Sequence, residues 1–184
     1  MPGQHRLSKT LTQFIERQPL FFVATAARTG RVNLSPKGGD TLRVLSPNRI
    51  LWLSLSGSGN ETAGHIHAQN RITLMWCAFR GNALIVRAYG SAQVRHPRDP
   101  EWDDMIGHFP TLAGSRQIYD VSIDGVQTSC GSGVPEMTVI RDRIPEEMEP
   151  FYAEMGPEGL KDYWKTKNTR TIDGLPTHIL KEPS

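Results

Sequence analysis

A chain of 184 residues with 38% hydrophobic content suits one domain, 1–184, with a buried core, and no apolar run nears the ~18 residues of a membrane span. The net charge of +2 hides a split: eleven Lys or Arg face two carboxylates between Arg17 and Arg98, and eight face sixteen from Asp99 onward. That split favours an anion or an acidic partner surface for the first half, and the dispersal of its arginines, with no compact Lys/Arg run, speaks against nucleic acid.

Thr10-Leu-Thr-Gln13 reads as a capping box opening an N-terminal helix, about 8–18, which Pro19 ends. β-Rich runs follow at 20–27, 32–36, 41–45, 50–56, 71–79 and 83–94, and a seventh is expected through 118–129. Their separators are turn chemistry, among them Lys37-Gly-Gly-Asp40 and Arg80-Gly-Asn82. Only 61–69 interrupts with helical character. Short strands on tight hairpins predict a mainly β protein with peripheral helices, an antiparallel barrel rather than a parallel sheet. Later helices are expected at 100–109, 145–155 and 157–168, the last with Pro157 at its first position behind Gly156. The last two begin a C-terminal helical extension, about 145–184.

Two stretches carry candidate chemistry. In Val32-Asn33-Leu34-Ser35-Pro36-Lys37-Gly38-Gly39, alternation puts Asn33, Ser35 and Lys37 on one strand face, with Val32 and Leu34 on the other. A solvated outer face is the plain explanation. Against it, Pro36 marks an edge or bulge, and a lysine beside glycine amides suits a phosphate. The second stretch, Ser56-Gly57-Ser58-Gly59-Asn60-Glu61-Thr62, follows a strand and opens a helix, where free N–H groups favour an anion. The competing reading is an ordinary glycine-rich loop with Asn60 as N-cap.

Other chemistries fare worse. Gly57-x-Gly59-x-x-Thr62 lacks the third glycine of a dinucleotide fingerprint, and no carboxylate lies between Glu61 and Asp99 to hold a ribose. His65 and His67 diverge by roughly 200° on a helix, so no metal site is expected. Cys77 sits in an apolar run and reads as an inert buried thiol; Cys130 has no base nearby in sequence. Two unpaired cysteines and an N-terminus without a secretory apolar stretch point to the cytoplasm.

The order strand, Lys-Gly, two strands, Gly-Ser-Gly-Asn, helix, strand resembles the pyridoxamine 5′-phosphate oxidase-like flavoproteins. The likeness spans roughly 21–94 and rests on Phe22-Val-Ala-Thr25, Asn33-Leu-Ser-Pro-Lys-Gly38, Ile50-Leu-Trp-Leu53, Gly59-Asn60, Asn70-Arg-Ile-Thr-Leu74 and Val86-Arg-Ala-Tyr-Gly90. The resemblance implies an antiparallel split β-barrel of the FMN-binding type, a homodimer, and FMN in a groove between subunits. By motif position it places Lys37 and Ser35 near the phosphate or ribityl chain, and Asn33 and Leu34 at the isoalloxazine ring. Ser56, Asn60 and Thr62 would complete the phosphate end. Arg87, inside an apolar strand, would serve the ring or a substrate carboxylate, or pair with the acidic tail.

Departures narrow the activity. The authentic oxidase has Ser-Arg-Lys at the helix start, whereas this chain has Asn60-Glu61-Thr62 and so lacks two cationic phosphate contacts. Asp173, Thr177 and His178 stand where the oxidase reads pyridoxine with Trp and Arg-x-His, so vitamin B6 oxidation is not expected. The expected function is FMN-dependent hydride transfer between a small organic substrate or a reduced nicotinamide and the flavin. A non-catalytic flavin carrier and a deazaflavin (F420) reductase are the alternatives; a haem-binding relative fits the histidines poorly.

Overall fold

The structure, a computed structural model, describes residues 4–180. Seven antiparallel strands form one curled sheet in the order β2-β1-β5-β6-β7-β4-β3, with helices at its edges. The strands are β1 (Leu20–Thr25), β2 (Asn33–Gly38), β3 (Leu42–Ser46), β4 (Arg49–Leu55), β5 (Ile72–Cys77), β6 (Leu84–Arg95) and β7 (Ser115–Cys130). All seven expected strands are present, and the mainly β antiparallel architecture stands. β7 begins at Ser115 rather than near 118, which matters below.

Helix α1 (Lys9–Glu16) starts earlier than its sequence signal, because Ser8 caps it by accepting from the Leu11 N–H at 3.2 Å. Thr10 therefore falls inside the first turn, and the expected capping box does not form. Helix α2 (Glu61–Ala68) follows β4, and α3 (Trp102–Ile106) follows β6. A π-helical turn at Ile144–Met148 leads into α4 (Glu149–Lys167), which breaks at Gly156 (φ 65°, ψ 176°). Those left-handed angles suit glycine, and Pro157 then restarts the helix as the sequence predicts. Residues 181–184 of the expected extension lie outside the described residues.

The core has two compartments. Inside the curl, Val23, Trp52, Leu74, Trp76, Val86, Tyr119 and Val121 pack with Phe14 and Ile15 of α1 and Ile66 of α2. On the other side of β4 and β7, Leu51, Leu53 and Ile118 meet Met105 and Phe109. β4 is therefore buried on both faces, each large apolar side chain contributing about 1.5–3 kcal/mol. Trp52 stacks on Tyr119 (centroids 4.5 Å apart) and meets Phe21 edge-on, while Phe21 stacks on Trp76. This aromatic column floors the interior.

Many arginines of the basic half are already answered. Arg31 pairs with Asp173, Arg43 with Asp40, Arg49 with Asp120 and Arg95 with Glu101. Asp173, Asp120 and Glu101 come from the acidic half, so much of the charge split closes on itself. Such exposed pairs contribute little stability each. The C-terminal segment after α4 is tied down by Arg98, which donates to the His178 and Ile179 carbonyls (both 2.7 Å), and by Thr171 packed against Gly64.

Gly114 (φ +79°) lies under the Tyr152 ring, where an added Cβ would sit 2.5 Å from Cδ2. Gly114→Ala should cost at least about 2 kcal/mol from left-handed strain plus displacement of α4. A urea-denaturation midpoint unchanged in that variant would show that α4 does not depend on this contact.

Candidate functional site

A cavity of about 580 Å³ opens between β2, the end of β4, the 56–60 loop and the Ile144–Met148 turn, a size suited to a small molecule. Asn33, Ser35 and Lys37 line it, whereas Val32 (73% exposed) and Leu34 (63% exposed) face outward. β2 thus turns its polar face inward and its apolar face out, the reverse of a solvated edge strand. The reason is that the inward face looks onto a cavity and not a packed core. Lys37 Nζ stands 5.4 Å from the Trp52 ring centroid. Burial, helped by the charge of Arg116, pulls the Lys37 ammonium down to about 8.

The loop wall is held by a buried polar network. Asn60 occupies the N-cap position of α2, but its side chain makes no capping bond. Its Oδ1 accepts from Gln117 Nε2 at 2.8 Å, and its Nδ2 donates to Gln117 Oε1 and to the Asn168 carbonyl, both at 3.4 Å. Gln117 also donates to the Tyr119 hydroxyl. Arg116 Nη1 donates to the Gly59 carbonyl and to Asn168 Oδ1 (both 2.9 Å), and Nη2 to Ser54 Oγ at 3.1 Å. Asn168 Nδ2 closes the circuit on the Gly57 carbonyl at 2.8 Å.

A β-bulge makes this network. The β4–β7 register pairs Ser54 with Gln117 and Leu55 with Ser115, which leaves Arg116 as the extra residue. Strict alternation would send Arg116 and Gln117 to opposite faces; the bulge brings both to the cavity side. Arg116 is only 5% exposed and lines the cavity. Among the described residues neither Lys37 nor Arg116 has a carboxylate ion-pair partner. An unanswered buried cation is costly, of order several kcal/mol before relaxation, so the cavity presents positive charge looking for an anion.

The two carboxylates at the cavity are occupied. Glu61 accepts from the Ile172 N–H (3.0 and 3.1 Å), and Asp142 Oδ1 accepts from the Ile144 N–H at 2.9 Å. Glu61 therefore spends its charge on the C-terminal segment.

The remaining expected residues divide. Thr62 lines the cavity and accepts from Asn33 Nδ2 at 3.3 Å, joining β2 to α2. Ser56 lines it too, but its groups are consumed: Oγ donates to the Gly114 carbonyl (2.8 Å) and accepts from Trp164 Nε1 (2.8 Å), and its carbonyl takes the Tyr152 hydroxyl (2.7 Å). Ser56 is a staple for α4. Leu34 and Arg87 do not line the cavity. Arg87 lies on the outward side of β6, donating to Ser129 Oγ at 3.0 Å, and among the described residues it forms no ion pair with the acidic tail. Sequence reasoning missed Trp52, Arg116, Gln117, Tyr119 and Asn168. The one available signal was the Arg-Gln pair directly before an expected strand.

The histidines are spread. His65 is buried with Nδ1 3.0 Å from Thr25 Oγ1, and His67 meets His178 edge-on. Among the described residues no group of three His, Cys, Asp or Glu side chains is arranged to hold a metal.

The family model described as pyridoxamine 5′-phosphate oxidase matches residues 7–130. The chain belongs to that family. It is 33% identical to the pyridoxamine 5′-phosphate oxidase family protein ustO of Aspergillus flavus over 186 aligned positions, covering 92% of this chain and 75% of that protein. In structure it is similar to a provisionally assigned pyridoxamine 5′-phosphate oxidase of Lactobacillus delbrueckii (TM-score 0.56, 19% identity, 69% of this chain and 99% of that one). It is also similar to HupZ of Group A Streptococcus (TM-score 0.52, 16% identity, 65% and 91%). These solved structures share the fold. Among the described residues no helix is long and apolar enough to cross a membrane.

Because its folded-state pKa is lowered, Lys37 opposes folding while charged, and stability should rise with pH between about 8 and the ordinary lysine range. Amine acylation followed by peptide mass mapping should label Lys37 ahead of exposed lysines at pH 8. Equal labelling across the lysines would show an ordinary ammonium.

Proposed function

We propose that this family member is an FMN-dependent oxidoreductase that passes hydride between a small organic substrate, or a reduced nicotinamide, and the flavin. The observation that carries the reading is the cavity in which Lys37 and Arg116 stand without a carboxylate partner, beside the Gly57–Gly59 loop and an α2 start whose Asn60 side chain does not cap it. These residues fit a phosphorylated flavin: cations and backbone amides for the phosphate, and the Trp52–Tyr119 stack as an apolar floor.

Bound FMN supplies the two-electron chemistry; the chain supplies position and charge. Lys37 projects its ammonium over Trp52 and, near its midpoint around pH 8, can hold or release a proton at Nζ. The Asn33–Thr62 bond fixes the distance between the β2 wall and the start of α2. Ile144 packs against Gly39, and both line the cavity. A non-catalytic flavin carrier is the second reading, favoured by the engagement of both cavity carboxylates with backbone amides. A deazaflavin in place of FMN is the remaining variant.

We place the protein in the cytoplasm, where the exposed free thiol of Cys130 persists best. We also propose a homodimer. Leu34, Phe22, Met75 and Ile85 share the outward side of β2, β1, β5 and β6, with Arg87 among them. A partner seated there would cover the exposed Leu34 and bring Arg87 to the interface.

A purified sample should carry flavin absorbance and be reduced anaerobically by a nicotinamide; flavin retained without any reduction would favour the carrier. Lys37→Ala should weaken FMN about tenfold, ~1.4 kcal/mol, in a fluorescence titration. An unchanged Kd would remove Lys37 from the site. Light scattering at micromolar concentration should give twice the chain mass, and Leu34→Asp should lower it; a monomeric parent protein would refute the dimer.

A further inference from the structure

We propose that Arg116 grips the phosphate of the flavin mononucleotide from β7, in place of the basic residues that the start of α2 lacks, and that Asn168 of the C-terminal segment aims it. This inference rests on the flavin reading above and names the group that would distinguish FMN from uncharged riboflavin.

A guanidinium has five N–H donors. Arg116 spends three, on the Gly59 carbonyl, Asn168 Oδ1 and Ser54 Oγ, and every acceptor is neutral. Among the described residues its buried Nε has no partner, and one Nη2 hydrogen is also left over. Lys37 acts on it with like charge, and among the described residues no carboxylate forms an ion pair with it. The site thus contains a cation with unused donors, while Glu61 and Asp142, the carboxylates at the cavity, are held by backbone amides.

Position supports the same assignment. The Gly59 carbonyl that Arg116 holds belongs to the loop that lines the cavity, so guanidinium and loop are already in contact. The helix start itself offers Asn60-Glu61-Thr62, and Glu61 is turned toward the Ile172 amide. A planar fork that can offer two parallel N–H groups suits phosphate better than a point charge does.

Asn168 is fully buried and acts as the positioning residue. Its side chain bridges Arg116 and the Gly57 carbonyl, and its own carbonyl accepts from the Thr177 hydroxyl at 2.5 Å. The C-terminal segment is thereby coupled to the anion site through one amide group.

The test compares FMN, riboflavin and orthophosphate on the full-length protein by fluorescence titration. The parent protein should bind FMN at least about tenfold more tightly than riboflavin, and orthophosphate should compete with FMN but not with riboflavin. Arg116→Gln should weaken FMN at least about tenfold and change riboflavin less than about twofold, and Asn168→Ala should likewise weaken FMN more than riboflavin. Should Arg116→Gln fail to fold, Arg116→Lys, which keeps the charge but loses the fork, should still lower the FMN-to-riboflavin ratio. A ratio preserved in the Arg116 variants, or a parallel loss of both ligands, would overturn the assignment while leaving the flavin reading intact. Parent protein that binds neither flavin would remove the reading itself.

Discussion

A single buried positive charge, Arg116, joins three parts of this molecule that are distant in sequence. It holds the 56–60 loop through Gly59, the end of β4 through Ser54, and the C-terminal segment through Asn168. None of these partners is charged. The arrangement is inefficient as a means of stabilising a fold, because a buried cation loses hydration that neutral carbonyls only partly replace. A site built to receive an anion has reason to retain that cost. The surrounding network of Asn60, Gln117 and Asn168 is hydrogen-bonded within itself, which keeps the wall rigid while the charge stays unanswered.

The rest of the cavity follows from that wall. α4 leans on it through Tyr152 and Trp164, which both end on Ser56, and Gly114 makes room for the Tyr152 ring. The C-terminal segment reaches across α2 to Glu61 and continues to Arg31 on the far hairpin. Glu61, which in sequence opposes an anion at the helix start, is thereby drawn off to a backbone amide. The elements after β7 are parts of the site as well as attachments to the barrel.

The distribution of charge carries a related lesson. A basic first half and an acidic second half suggest that the first half collects an anion. In the fold, Arg31, Arg49 and Arg95 are answered by carboxylates of the second half. Among the described residues the cations at the cavity without an ion pair are Lys37 from the basic half and Arg116 and Arg143 from the acidic half. Charge counted along a chain is thus a poor guide to charge at a site, because pairing happens in space.

The seven strands, their antiparallel character, the restart of α4 at Pro157 and the family are all legible in the amino-acid order, since alternation, turn residues and proline act over a few neighbours. That order also identified Asn33, Ser35, Lys37, Asn60 and Thr62, which share the cavity because they flank turns that the local chemistry makes legible. The remainder of the site emerges in three dimensions. The bulge that turns Arg116 inward depends on the register of β7 against β4, and the outward position of Arg87 depends on which face of β6 the curl encloses. Asn168 became part of the site because a segment more than a hundred residues from the loop folds back onto Gly57. Register, curvature and long-range closure are properties of paired strands, and no local pattern encodes them.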